Sequence, residues 1–277
     1  MEHKISFKNW IGKTLKTKPE LISPRLVESF KATFSDNLAK IAGAPAGLHW
    51  CVTPPILNIE ELGSDGHPIK GSFIPPIPLP RRMWASGTVE FHDDLLVADI
   101  VQKHSKIKEI FWKNGRSGQL CFVTVSNDYI TTRGTVITED QNIVFREAAK
   151  GPMINPKPVM SEKIFQIEKL VPISEVHLFR YSAITFNAHR IHYDLPYTRD
   201  VEFYPDLVIH GPLQATLILN LATGIMNKLP RRFSFRGLAP ATGAQTLRLG
   251  ANIFGQKCEL SVIDEQGVET MTGSAEW

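Results

Sequence analysis

A short stretch of the sequence concentrates the residue types that acid–base chemistry requires. The segment from Tyr181 to Asp194 contains Asn187, His189 and His192, and His210 follows further along the chain. Three of the nine histidines therefore fall within this part of the sequence. A neutral imidazole, with a pKa of about 6.5, can accept or donate a proton close to neutral pH. We take this segment as the candidate site.

Other interpretations of the same segment are open. A metal ion could take His189 and His192 as ligands together with Asp194 or His210, but the spacing is generic and no H-E-x-x-H pattern is present. A covalent nucleophile is not indicated, because the sequence has no G-x-S-x-G motif. A surface loop with solvated histidines is the remaining alternative. We expect a site without metal or cofactor.

The segment resembles a motif of the MaoC-like (R)-specific enoyl-thioester hydratases and dehydratases. Their pattern is D-x-N-P-x-H, with a downstream H-G pair that opens the central helix of a hot-dog fold. When the final motif histidine is aligned on His192, the motif's Asp, Asn and Pro fall on Asn187, His189 and Arg190. The downstream pair matches His210-Gly211. The sequence therefore keeps the histidine of the motif and replaces its aspartate.

Three further segments extend the resemblance over almost the whole chain. They are GLHW at 47–50, LPRRMW at 79–84 and RFSFRG at 232–237, and they resemble a double hot-dog branch that includes mesaconyl-C4-CoA and itaconyl-CoA hydratases. The resemblance implies an α+β fold with a catalytically silent hot-dog unit at 1–150, which shapes the acyl pocket, and a catalytic unit at 151–277.

The activity that this resemblance implies is that of a hydro-lyase acting on an acyl-CoA thioester. The expected substrate carries a C5 branched dicarboxylic acyl group, such as mesaconyl-C4-CoA or itaconyl-CoA. Two alternatives are a 3-hydroxyacyl-thioester dehydratase of fatty-acid synthesis and a non-catalytic acyl-thioester-binding protein.

The resemblance also assigns roles to individual residues. His192 is the expected base. Asn187 is expected to orient a water molecule, because an amide keeps a carbonyl acceptor but cannot titrate. Gly211 opens a helix, and the free N–H groups and positive dipole there suit a developing oxyanion.

Other residues are expected to bind the substrate. Arg190 could pair with the free carboxylate of a dicarboxylic acyl group, or it could hold the loop by pairing with Asp194 or Asp200. Arginines near two strands suit the phosphates of coenzyme A, although a solvated strand face is an equal alternative. The further residues expected at the substrate are His189, His210, Arg231, Arg232 and Arg236, with Arg81 and Arg82 before another strand.

Hydrophobic periodicity and turn residues predict the elements around the site. The pattern at 212–228 is apolar nearly all round, which indicates a buried helix. A short amphipathic helix follows Ser23, residues 54–80 and 181–204 should be irregular, and the Pro-rich stretch 151–160 should link the halves. The expected strands are 84–92, 99–112, 118–130, 135–146, 161–170, 231–238, 244–254 and 257–277, the last with a turn at 265–267.

Composition excludes several classes of protein. Of 277 residues, 43% are hydrophobic and 21% are charged, as in ordinary globular proteins. The net charge of +3 comes from scattered basic residues, so nucleic-acid binding is not expected. Three distant cysteines indicate a reducing compartment. Without an apolar span or signal peptide, we expect a cytoplasmic protein with no membrane contact, and homodimer formation stays open.

Overall fold

The protein is built around one large antiparallel sheet. The computed structural model describes residues 7–115, 118–149, 151 and 160–277, and within these ranges eleven strands form the sheet. In chain order they are β1 (Thr14–Lys16), β2 (Glu20–Leu21), β3 (Arg81–Phe91), β4 (Ile100–Gly115), β5 (Gly118–Thr131), β6 (Gly134–Arg146), β7 (Ile167–Ile173), β8 (Arg232–Gly237), β9 (Gln245–Phe254), β10 (Lys257–Ile263) and β11 (Glu269–Glu276).

The strand order separates the first part of the chain from the second. From edge to edge it is β1-β4-β5-β6-β3-β8-β11-β10-β9-β7, with β2 paired to β4. The β3–β8 pair joins the two parts and places Gly87 opposite Phe235. A Cβ atom on Gly87 would lie 2.4 Å from Phe235 Cζ, so the seam needs a glycine at this position.

Four α-helices accompany the sheet: α1 (Pro24–Phe34), α2 (Glu175–Ile184), α3 (Leu195–Asp200) and α4 (Gly211–Met226). Helix α4 packs against β9, β10 and β11. Its side chains Leu213, Leu217 and Ile218 are at most 1% exposed, which confirms the predicted buried helix. Ser23 caps α1 by accepting a hydrogen bond from Leu26 N, as its sequence pattern indicates.

The prediction that residues 181–204 are irregular is wrong in part. Helix α2 extends into it, and α3 lies within it. Asp194 caps α3 by accepting a hydrogen bond from Tyr197 N, and Pro196 occupies its first turn. These are ordinary helix-start signals, which the dense polar composition of the segment obscures.

The predicted bounds of the strand at 161–170 are wrong, because the observed strand begins and ends later in the sequence. Strand β7 begins at Ile167 and continues through Pro172 to Ile173. Because β7 lies at the edge of the sheet, the missing N–H of Pro172 is tolerated there. The short strands β1 and β2 were not predicted.

The predicted boundary between the halves falls largely outside the described residues, which omit 152–159. The division into 1–150 and 151–277 stays a prediction. Within the described ranges, no helix is long and apolar enough to cross a membrane.

Candidate active site

The site begins where α2 ends. Helix α2 stops at Ile184, and Phe186 then adopts a φ of 49°, which turns the chain back on itself. Asn187 Oδ1 closes the following turn by accepting a hydrogen bond from His189 N at 3.0 Å. A 3₁₀ turn at Arg190–His192 follows directly. This local structure places His189 and His192 side by side.

His192 is held in one tautomer. Its Nδ1 lies 2.7 Å from the carbonyl oxygen of Val208. A carbonyl oxygen can only accept a hydrogen bond, so Nδ1 carries the proton and Nε2 keeps the lone pair of the neutral ring. Nε2 makes no hydrogen bond to another described residue, and His192 lines the large cavity described below. The arrangement supplies a fixed, neutral base.

Burial favours this neutral form. His192 is 7% exposed. Loss of hydration lowers its pKa to about 4, against the opposing effect of the Val208 hydrogen bond. The ring is therefore unprotonated at neutral pH.

His210 lies behind His192. The two rings stack with centroids 3.6 Å apart, and His210 is fully buried. Its Nε2 lies 2.8 Å from Ser182 Oγ. His210 does not line the cavity, whereas the sequence suggested contact with the substrate.

Gly211 lies at the start of α4 and lines the cavity. The ring of Trp84 covers it so closely that a Cβ atom on Gly211 would lie 3.2 Å from Trp84 Cε3. The opening N–H groups of a helix have no partner within the helix. The residue therefore brings a backbone donor, at the positive end of the helix dipole, to the same cavity as His192.

A second polar chain reaches His189. The ring centroid of His189 lies 5.4 Å from that of His192 and 4.1 Å from that of His67. His67 Nδ1 in turn donates to Asp65 Oδ2 at 3.1 Å. Burial, followed by the charges of His192 and Arg82, lowers the pKa of His189 well below its ordinary value.

The loop that carries Asp65 and His67 packs directly on the candidate segment. Arg190 N donates to Asp65 O at 3.0 Å. Gly66 has a φ of 85°, and a Cβ atom there would lie 1.8 Å from Ala188 O. Only glycine fits at this contact. The sequence assigned no role to His67, because a histidine in a predicted irregular stretch carries no spacing signal.

Asp65, His67 and His189 could also be considered as ligands for a cation. Their candidate ligand atoms lie within 4.8 Å of one another. The Asp65 carboxylate, however, already accepts a hydrogen bond from His67 and lies 3.4 Å from Arg82 Nε. The guanidinium therefore occupies the place of positive charge beside this carboxylate.

The cavity has a volume of about 1650 Å³ and is lined by residues from both parts of the chain. Trp50 and Trp84 line it, with ring centroids 5.5 Å apart. Phe235 stacks on Trp84 at 4.2 Å. These three aromatic residues come one from each of the GLHW, LPRRMW and RFSFRG segments, so the fold brings the three segments together beside the site.

Four of the arginines predicted at the substrate lie outside the cavity lining, namely Arg190, Arg231, Arg232 and Arg236, whereas Arg81 and Arg82 line it. Arg190 Nη2 pairs with Asp194 Oδ2 at 2.8 Å, and its Nη1 donates to Ser64 O at 3.0 Å. Arg232 pairs with Glu90 at 2.8 Å on the exposed face of β8. Arg231 and Arg236 are exposed as well.

A buried ion pair in the cavity wall could not be recognised from the sequence. Arg81 is 5% exposed and Glu202 is 7% exposed, and Arg81 Nε donates to Glu202 Oε2. The sequence offered Arg81 only as one of a pair before a strand. Glu202 was not predicted at the site. It lies 121 positions from Arg81 along the chain, so their pairing can be recognised only once the fold is known.

Comparison with known proteins identifies the family. Residues 47–243 match the family described as hydroxyacyl-thioester dehydratase type 2. The chain belongs to this family. It is also 37% identical over 270 residues to a protein named mesaconyl-C(4)-CoA hydratase from Chloroflexus aurantiacus, with 96% of each chain covered. Membership of the dehydratase family confirms the predicted resemblance and the predicted hydro-lyase class.

Solved structures confirm the predicted fold. A MaoC-like dehydratase superimposes with a TM-score of 0.74 at 14% identity, covering 98% of this chain and 100% of the other. A conserved hypothetical protein from Mycobacterium tuberculosis, described as a double hotdog fold, gives a TM-score of 0.59 at 10% identity, with 96% of each chain covered. This member of the dehydratase family is therefore an α+β double hot-dog protein.

Proposed function

We propose that the protein adds water to a 2-enoyl-CoA thioester, and removes it in the reverse direction, with a C5 branched dicarboxylic acyl group such as mesaconyl-C4-CoA or itaconyl-CoA. The observation that carries this proposal is the fixed neutral His192 in a cavity that also contains the start of α4. The name of the Chloroflexus relative supports the choice of acyl group. The cavity exceeds the roughly 300–1,000 Å³ of sites for drug-sized ligands, as a coenzyme A ester requires.

His192 performs the proton transfers. Its Nε2 takes a proton from water while the water oxygen bonds to the β-carbon, and the electron pair of the double bond moves towards the thioester oxygen. The resulting enolate takes a proton at the α-carbon from the His192 imidazolium, so one water has been added and the ring is neutral again. Backbone N–H at Gly211 stabilises the enolate oxygen, a contribution of about 10² to 10³ in rate in other enzymes.

The aspartate that this sequence lacks is replaced by a different arrangement. Asn187 Oδ1, the acceptor expected to orient water, already accepts a hydrogen bond from His189 N and keeps one further lone pair for that contact. Asp194 caps α3 and pairs with Arg190, so it is committed elsewhere. His189 lies beside His192 in the cavity wall and is the residue that we assign to hold the attacking water.

A substrate screen tests the proposed reaction. Purified protein is mixed separately with mesaconyl-C4-CoA, itaconyl-CoA and crotonyl-CoA, and the absorbance of the enoyl thioester is followed. We expect loss of absorbance with a dicarboxylic ester at a higher kcat/KM than with crotonyl-CoA. A preference for straight-chain esters would favour the fatty-acid dehydratase suggested by the family description. No turnover of any ester would favour a binding protein.

The pH dependence of activity reports the base. We expect kcat/KM for crotonyl-CoA to change less than about two-fold between pH 7.5 and pH 5.5, because burial lowers the pKa of His192 to about 4 and keeps the ring unprotonated over this range. A base with a pKa of about 6.5 would lose about ten-fold activity by pH 5.5. A ten-fold fall in kcat/KM between pH 7.5 and pH 5.5 would contradict the assignment of His192 as the base.

Arg190 gives a test of substrate selectivity. Because its guanidinium pairs with Asp194 and Ser64 O, we expect Arg190→Gln to lower kcat/KM by a similar factor for crotonyl-CoA and mesaconyl-C4-CoA. Steady-state kinetics with both esters measure the two factors. A much larger loss with the dicarboxylic ester would show that Arg190 reads the carboxylate directly.

The proposal includes the setting of the enzyme. We assign residues 1–150 to a hot-dog unit that shapes the acyl pocket without catalytic residues, and residues 151–277 to the catalytic unit. Arg232 and Arg236 on the exposed face of β8, with Arg231 just before the strand, remain our candidates for the coenzyme A phosphates. A cytoplasmic location fits the three cysteines, which are all buried and unpaired. Sedimentation velocity would test for a homodimer.

A further inference from the structure

The strongest unexplained feature of the cavity wall is the guanidinium of Arg81. This residue begins β3 and is 5% exposed. Its Nε donates to Glu202 Oε2, and its Nη2 donates to Glu202 O at 3.2 Å. The Tyr204 ring centroid lies 5.2 Å from Arg81 Cζ. Glu202 therefore holds one side of the guanidinium in place.

One donor atom of the same guanidinium makes no hydrogen bond to the residues that the structure describes. This atom, Arg81 Nη1, is buried. A buried charged donor without a partner costs about 1–3 kcal/mol or more, so such a group calls for an explanation. An anionic ligand in the adjoining cavity would satisfy it, because a guanidinium binds carboxylates and phosphates through paired N–H donors.

The position of Arg81 indicates which part of a ligand it meets. Arg81, Glu202 and Tyr204 line the same cavity as His189 and His192. The Arg81 guanidinium lies over the Tyr204 ring, and Tyr204 belongs to a buried cluster with Ile191 and Val208. The carbonyl oxygen of Val208 accepts the hydrogen bond from His192 Nδ1. The guanidinium therefore lies on the side of the cavity that holds the residues assigned to the reacting carbons.

We propose that Arg81 binds the free carboxylate of the acyl group, with Nη1 as its principal donor, and so makes the site selective for dicarboxylic acyl thioesters. The inference rests on the proposed function and assigns its specificity. In a C5 branched dicarboxylic ester the carboxylate lies only a bond or two beyond the β-carbon. A residue beside the base can therefore contact it, whereas the solvent-exposed arginines of β8 cannot.

Two saturated ligands isolate this contact from catalysis. 3-Carboxybutanoyl-CoA carries the carboxylate, and isovaleryl-CoA has a methyl group in its place; neither has a double bond to hydrate. Isothermal titration calorimetry should show that Arg81→Met raises the Kd of the carboxylated ester by at least about ten-fold, equivalent to about 1.4 kcal/mol, and raises that of isovaleryl-CoA far less.

Companion variants keep the result interpretable if Arg81→Met disturbs folding by leaving Glu202 unpaired. The double variant Arg81→Met/Glu202→Gln removes both charges and should show the same selective loss, and Arg81→Lys should show a smaller one. Arg248→Met/Glu168→Gln removes an arginine–glutamate pair outside the cavity, 3.0 Å apart, and should leave both Kd values unchanged.

The outcomes separate the proposals. Equal losses for both esters in the Arg81 variants would mean that Arg81 contacts a coenzyme A phosphate or only supports the fold, and would overturn the inference. A loss of affinity that is confined to the carboxylated ester would support the inference. This holds even if the wild-type protein hydrates none of the enoyl-CoA esters, which would contradict the proposed reaction.

Discussion

Replacing His192 with alanine should lower kcat by about 10² to 10⁴, because the variant has no group at this position to take the proton from water. The expected loss follows from geometry: Nδ1 is held by Val208 O, so Nε2 is the basic atom at the cavity. Stopped-flow or steady-state assays with the best ester of the substrate screen would measure the change.

A matched variant distinguishes loss of the base from loss of packing. In His192→Asn the side-chain amide nitrogen can still donate to Val208 O, but no titratable atom remains. We expect the same loss of kcat as in the alanine variant, with thermal unfolding closer to that of the wild type. If either variant kept half of the activity, His192 would be removed from the mechanism.

The fold could be predicted where local patterns and packing agree. Helix α4 is apolar nearly all round and is buried, and the alternation of Phe233 and Phe235 with polar residues marks β8 correctly. Prediction failed for α3, a short polar segment that begins at a capping residue. Asp194 caps α3, although the sequence analysis considered it only as a metal ligand or as a partner of Arg190.

The site was predicted only in part, for a physical reason. His189 and His192 are neighbours in sequence, so their proximity could be foreseen. The contacts of His67 with His189 and of Arg81 with Glu202 join residues that are far apart along the chain. Residue types alone cannot report such contacts, because an arginine before a strand is usually a solvated residue.

The histidines that were difficult to interpret from sequence also set the response of the fold to acid. His49, His189, His192 and His210 are at most 7% exposed. Burial lowers the pKa of His49 to about 3 and that of His192 to about 4, and it lowers the pKa of His189 and His210 well below the ordinary value. In the unfolded chain each ring has a pKa of about 6.5.

We therefore expect the free energy of unfolding to fall by at least about 2.5 kcal/mol between pH 7 and pH 5.5, from His49 and His192 alone. Below about pH 6.5 the histidines of the unfolded chain bind protons, whereas the buried rings of the folded protein stay neutral. Each such histidine then lowers the free energy of unfolding by about 1.4 kcal/mol per pH unit, until the pH reaches the pKa of that ring in the folded protein. The raised pKa of Glu139 opposes this trend at lower pH, because the folded state then binds a proton first. Denaturant unfolding at the two pH values measures the difference.

His49 lies outside the catalytic cluster, so His49→Gln should reduce the pH-dependent loss by about 1.2 kcal/mol. Equal unfolding free energies at pH 7 and pH 5.5 would show that the buried rings do not stay neutral.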